Sequence, residues 1–262
     1  MTIDVAVFGA GGRVGREVCR AVLLDPELTL TAAIDPGAAG QTVGAIVGIA
    51  CEIEVVDSPS ELPSGVADVG VDFTNLEPAR GNLAWMAEQG VHAVVGTTGF
   101  TDDDLAGFAS AFTSSNCLVA PNFAIGAVLM MHFAEVAAPW FETAEIIEMH
   151  HENKIDAPSG TAMMTARRMA GASADWRDDP TENHVVPGAR GGSGPGGITM
   201  HSVRMRGAVA HQEVILGAMG QTLTIRHDSM DRTSFMPGVL LAAKQIADHP
   251  GITLGLDDFL GL

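Results

Sequence analysis

Ile3-Asp4-Val5-Ala6-Val7-Phe8-Gly9-Ala10-Gly11-Gly12-Arg13-Val14-Gly15 decides the fold of this 262-residue chain. Residues 3 to 8 form a short apolar run that meets a cluster of glycines. From Val14 to Leu24 the apolar side chains then recur at helical spacing, at Val14, Val18, Val22 and Leu23. The reading is strand, tight turn, helix. The turn departs from G-x-G-x-x-G, because Val14 stands where the last glycine would be, but fits G-x-x-G-x-x-G through Gly9, Gly12 and Gly15.

Working outward, Leu28 to Ile34 reads as a second strand ending at Asp35, and Val69 to Phe73 as another ending at Thr74. Leu76 to Gln89 reads as a helix stopped by Gly90. His92 to Val95 reads as a strand stopped by Gly96-Thr97-Thr98-Gly99. Strands that alternate with helices predict an α/β domain built on a parallel sheet with right-handed crossovers.

After Leu118-Val119-Ala120-Pro121 the rhythm changes. Ala144 to His151 reads as a strand and Thr161 to Ala172 as a helix. Ile198 to Arg206, His211 to Ala218 and Thr222 to His227 read as an antiparallel meander. This second domain is α+β, with an open, mostly antiparallel sheet. One helical layer covers one face of such a sheet, and a second copy of the chain is the expected cover for the other. A last helix, about Ser234 to His249, returns to the first domain. The expected division is 1–121 with 231–262, and 122–230.

Composition narrows the function. A formal net charge of -18 argues against nucleic acid, whose phosphates repel an acidic surface. Lysine is confined to Lys154 and Lys244, an acidic, lysine-poor balance that would also suit a salt-rich cytoplasm. The N-terminal residues run straight into a strand without the basic leader and long apolar core of a signal peptide, so a cytoplasmic address is expected. Phe123 to Phe141 carries His132, Glu135 and Pro139 and reads as a buried or subunit-facing helix, with no membrane partner. Cys19, Cys51 and Cys117 are widely spaced and odd in number, which suggests reduced thiols.

The glycine turn, set between strand and helix, suits a dinucleotide. Glycines let a pyrophosphate approach closely, and the helix offers free N–H groups and a positive dipole end. Gly9, Ala10, Gly11, Gly12, Arg13 and Val14 are the candidate contacts. Asp35, twenty residues beyond Gly15, is placed to accept from ribose hydroxyls, which favours NADH. Arg13 suits a 2'-phosphate, so NADPH stays open. Gly96, Thr97 and Thr98 follow a strand at its carboxyl end and are candidates to hold the nicotinamide. Ala120, Pro121, Asn122 and Phe123 lie at the predicted junction, as cofactor contacts or as a hinge.

The most specific run is Met149-His150-His151-Glu152-Asn153-Lys154-Ile155-Asp156-Ala157-Pro158-Ser159-Gly160-Thr161. Two imidazoles and an ammonium gather positive charge in an acidic protein, so a small anion is the expected partner. Ser159, Gly160 and Thr161 open a helix whose N–H groups suit a carboxylate, although Ser159 also reads as a plain N-cap. A histidine here is the natural acid for protonating a reduced product. Adjacent histidines on a strand face opposite ways unless the strand ends between them. No metal is expected, because Ile155 stands where a second histidine of H-E-x-x-H would be.

On these residues the chain resembles the 4-hydroxy-tetrahydrodipicolinate reductases of lysine and diaminopimelate synthesis, formerly called dihydrodipicolinate reductases. The glycine turn, Gly96-Thr97-Thr98-Gly99-Phe100, Ala120-Pro121-Asn122-Phe123 and H-H-x-x-K-x-D-A-P-S-G-T-A at 150 to 162 occur in family order. Thr222 to Leu241 looks like the actinobacterial branch. The resemblance implies a Rossmann-like cofactor domain, a substrate domain whose open sheet makes a homotetramer, and hydride transfer from NADH or NADPH. It implies His150 as acid/base and Lys154 as proton donor. His151, Gly160 and Thr161 would bind a small dicarboxylate, with Ser159 and Thr97 as further substrate candidates. Two features depart or stay free: Pro36 rather than a basic residue follows Asp35, and Glu152 is placed to attract a neighbouring histidine. The rival readings are a non-catalytic NAD(P) sensor and a reductase of another small keto or imino acid.

Overall fold

The computed structural model describes residues 2–262. Two compact units emerge, one of residues up to Ala124 with Arg232–Leu262, the other Ile125–Asp231. The first unit runs β1 (Ile3–Phe8), α1 (Gly15–Leu24), β2 (Leu28–Ile34), α2 (Val43–Val47), β3 (Val55–Val56), β4 (Val69–Asp72), α3 (Leu76–Gln89), β5 (His92–Val95), α4 (Asp102–Ala111) and β6 (Cys117–Val119). The second unit follows with α5 (Ile125–Ala137), β7 (Thr143–His150), α6 (Gly160–Ala172), β8 (Gly192–Ser193), β9 (Thr199–Arg204), β10 (Ala210–Ala218) and β11 (Gln221–Ser229). The chain then returns to the first unit through α7 (Met236–Gln245) and β12 (Ile252–Leu254).

The first sheet has seven strands, all parallel, in the order β12-β6-β5-β4-β1-β2-β3. Ala6, Phe8, Ile34, Ala93 and Val95 share a core with Leu83 and Met86 of α3 and Phe108 of α4. Their neighbours Val5, Val7, Ala33 and Val94 are buried as well, so the sheet is covered on both faces. That explains the continuous apolar runs at residues 5–8 of β1, 32–34 of β2 and 93–95 of β5, whereas Leu28-Thr29-Leu30-Thr31 at the start of β2 still alternate. Each fully buried large side chain of this kind contributes about 1.5–3 kcal/mol. The strand order reverses between β1 and β4, and this switch point is where an open parallel sheet leaves a crevice beyond its carboxyl ends.

The second sheet has five strands in the order β11-β10-β7-β9-β8. It corrects the expected three-strand meander. Of the three strands expected to form it, β10 and β11 make a hairpin, whereas β9 lies on the other side of β7, parallel to it. The reason is α6, which makes β7-α6-β9 a crossover unit and so returns β9 parallel to β7. Ala144, Ile146, Met200, Val214 and Leu216 pack beneath Ala134 of α5 and Ala162, Ala166 and Met169 of α6. The alternate positions Ile147, Met149, Val203 and Ile215 lie on the opposite face and stay partly exposed. Among the described residues no helix is long and apolar enough to cross a membrane.

Candidate active site

In the first unit a crevice of about 700 Å³ opens at the switch point. Gly9, Gly12, Arg13, Val14, Asp35 and Gly96, six of the candidates, line it together. The turn needs glycine twice over. Gly9 has φ of 81°, and a Cβ on Gly15 would lie 1.9 Å from the carbonyl oxygen of Gly9. No side chain caps the N-terminus of α1, and of its first turn the Arg16 and Val18 N–H groups donate to the carbonyls of Gly12 and Val14, so the positive end of the helix faces an anion with the dipole rather than with a full set of N–H groups. Asp35 accepts the N–H of Gly11 at 2.8 Å through Oδ2 and that of Gly37 at 2.8 Å through Oδ1. Arg232, from the returning segment, adds a second cation to the wall. A wall with two arginines, a glycine turn leading into a helix start and a carboxylate at the end of β2 fits a dinucleotide.

The other candidates of this unit are placed differently. Ala10 is fully buried, and Gly11 turns its N–H to Asp35. Thr97 is buried and donates its hydroxyl to Asp72 Oδ1 at 2.9 Å, whereas Thr98 is exposed. Ala120 is buried and donates to the carbonyl of Val95; Pro121 is exposed. Asn122 Oδ1 accepts from the Ala124 N–H. Phe123 is a core residue, packed on Phe73, which itself lines the crevice.

Sequence reasoning missed Asp72. It is fully buried at the end of β4 and accepts from Thr74 N and Oγ1, Asn82 Nδ2 and Thr97 Oγ1 at 2.7–3.0 Å. Thr74 and Asn82 line the crevice, so one carboxylate fixes its floor. The signal was an acid ending an apolar strand, where burial demands partners.

In the second unit β7 ends at His150, so the strand does stop between the two histidines. His150 is largely buried and its Nδ1 lies 2.5 Å from Glu148 Oε2. Glu148 is 1% exposed and is gripped by Arg204, with Nη1 2.9 Å from Oε2 and Nη2 2.8 Å from Oε1. The Ser159 N–H also donates to Oε1, at 3.2 Å. Burial opposes this charge, but hydrogen bonds from His150, Arg204 and Ser202 outweigh it and hold the carboxyl down at about 2. The carboxylate at His150 is therefore Glu148. Glu152, expected in that place, pairs with Arg206 on the surface.

Lys154 Nζ is held by both oxygens of Asp156, at 2.8 and 2.9 Å, and draws that carboxyl below its usual range. Arg204 Nη2 donates to the Asp156 carbonyl at 2.7 Å, tying the lysine-bearing loop to β9. His151 and Gly160 are exposed, and Thr161 is half-buried. Ser159 is buried and committed to structure: its Oγ accepts from Ala162 N–H as the N-cap of α6. Sequence reasoning missed Glu148 and Arg204. Glu148 breaks the buried face of β7 at Ala144 and Ile146, and Arg204 is the register partner of His150.

A doubly covered parallel sheet with a glycine turn at its switch point, joined to a unit presenting imidazoles, an ammonium and a helix start, defines an NAD(P)-binding oxidoreductase. Residues 3–123 match the family described as dihydrodipicolinate reductase, N-terminus, and residues 126–260 its C-terminus. The chain belongs to this family, whose members use NAD(P)H. The 4-hydroxy-tetrahydrodipicolinate reductase of Nocardia farcinica is 47% identical, over 100% of both chains. That of Cutibacterium acnes is also 47% identical, over 99% of each. A solved dihydrodipicolinate reductase from Paenisporosarcina sp. TG-14, bound to dipicolinate, is 38% identical, with a TM-score of 0.86 over 98% of this chain and 99% of that one. An amine dehydrogenase from Mycobacterium smegmatis shares the fold alone, at 14% identity and a TM-score of 0.66, covering 97% of this chain and 95% of its own.

Proposed function

We propose that this chain reduces 4-hydroxy-tetrahydrodipicolinate to tetrahydrodipicolinate with loss of water, in the cytoplasmic synthesis of diaminopimelate and lysine. The observation that carries the reading is the cluster at the end of β7, where His150, Lys154 and the start of α6 are held by one hydrogen-bonded network. A dicarboxylate needs fixed positive partners. Lys154, His151 and the N–H groups of Gly160 and Thr161 supply them, with Lys154 exchanging Asp156 for a substrate carboxylate.

Gly9, Gly12, Arg13, Val14, Asp35 and Gly96 would hold the dinucleotide, with Thr97, Thr98 and residues 120–123 shaping its surroundings. The bound reduced nicotinamide supplies the hydride. The rest is acid–base work by the chain: Lys154 and His150 assist departure of the hydroxyl group as water and deliver the proton to the reduced ring. Fixed charges aimed at the developing charge make the largest contribution to such a step. Asp35, followed by Pro36, favours NADH; Arg13 keeps NADPH in use. The partly apolar open face of the second sheet supports a homotetramer, and a monomeric mass in solution would count against it.

The test follows the oxidation of NADH and NADPH, in parallel, on substrate made in situ from pyruvate and aspartate semialdehyde by the preceding synthase. Rapid oxidation supports the reading. Cofactor binding without oxidation would redirect it to a sensor or to another imino acid.

A further inference from the structure

His150 has two ring nitrogens, and the acid–base step needs to know which one exchanges the proton. Its Nδ1 faces Glu148 Oε2 at 2.5 Å. An ionised carboxylate only accepts hydrogen bonds. Glu148 is ionised across the physiological range, because Arg204 contacts both its oxygens and Ser159 N–H adds another donor. Nδ1 therefore carries hydrogen in both the neutral and the protonated ring.

We propose that Glu148, clamped by Arg204, is the positioning residue of this site: it fixes His150 as the Nδ1–H tautomer and leaves Nε2 as the nitrogen that exchanges the proton. The inference rests on the acid–base role assigned to His150 above. Arg204 has two parts in it. It offsets the buried charge, which alone would take up a proton and turn from acceptor to donor. It also binds the Asp156 carbonyl, two residues from Lys154. The same carboxylate receives Ser159 N–H, so the imidazole and the start of α6 are anchored to one group. His150 and the start of α6 thus share one carboxylate, and Arg204 ties the Lys154 loop to it.

The experiment uses the full chain labelled with 15N-histidine, with His150 assigned by the missing signals of His150→Gln. In the unsubstituted protein the neutral ring is expected to show hydrogen on Nδ1. Glu148→Gln reverses it. The Oε1 position faces two fixed donors, Arg204 Nη2 and Ser159 N–H, against one, Arg204 Nη1, at Oε2, so the amide oxygen settles at Oε1 and the NH2 group turns to His150 Nδ1. The ring then carries its hydrogen on Nε2. Turnover should fall about 10–100-fold, as for other residues that orient a functional histidine, with KM for NADH unchanged. Hydrogen on Nε2 in the unsubstituted protein would overturn the proposal, even if Glu148→Gln did not fold. So would a folded Glu148→Gln protein with an unchanged tautomer and full turnover. The tautomer readout needs no substrate: the expected spectrum without turnover on the proposed imine would overturn the catalytic reading and uphold the positioning one.

Discussion

Asp35 accepts the backbone N–H of Gly11 at 2.8 Å, so the acid at the end of β2 is bonded to the glycine turn that follows β1. One side chain both braces the turn and presents negative charge to the crevice.

Asp35→Asn keeps the shape and removes the charge. The ratio of kcat/KM for NADPH to that for NADH should rise about tenfold, the worth of one charge-assisted hydrogen bond. Steady-state kinetics with both cofactors check it; an unchanged ratio would remove Asp35 from cofactor choice.

Asp72→Ala leaves the donors of Thr74, Asn82 and Thr97 without their acceptor in a buried place. A loss of about 2–4 kcal/mol in urea unfolding is expected, with weaker NADH binding. Full stability would mean that the crevice floor does not depend on this carboxylate.

The two glycine classes should separate sharply. Gly15→Ala places a methyl 1.9 Å from the Gly9 carbonyl oxygen and should destabilise the first unit by several kcal/mol, abolishing dinucleotide binding. Gly81→Ala, on the exposed face of α3 with nothing within 4 Å of the new methyl, should stabilise by about 0.5–1 kcal/mol. Thermal unfolding of both variants measures the contrast.

This division shows what was legible in the sequence. The strand, turn and helix of residues 3–24 announce themselves because apolar runs and glycines are local signals. The pairing of β9 with β7 is not local: Arg206 to His211 looks like a hairpin connection, and only the helix between β7 and β9 dictates otherwise. The helix α4 escaped notice although Thr101 and Asp104 form a capping box, a readable start signal for Asp102–Ala111. His150, Lys154 and the α6 start were legible because their charges crowd together in sequence. Glu148 and Arg204 were not, since their meeting depends on strand register. Ser159 shows the converse, a motif residue whose polar atoms serve the backbone.

Acidification should reveal Glu148. Its carboxyl is depressed from 4.5 to about 2, so the stability it contributes is fully present above about pH 4.5 and is lost as pH falls toward 2. Urea midpoints across that window should fall more steeply for the unsubstituted protein than for Glu148→Gln. Parallel curves would place the sensitivity elsewhere, for instance at Asp104, which Arg80 holds far below the usual carboxylate range.

The most direct test of the central claim is Lys154→Ala in the coupled assay, read beside NADH binding by fluorescence. Lys154 belongs to the second unit, and the crevice that would take the dinucleotide belongs to the first. Turnover should drop by at least about a hundredfold, the scale of a positioned proton donor, while NADH affinity stays within about twofold. Retained turnover, or an equal loss of NADH affinity, would contradict the account.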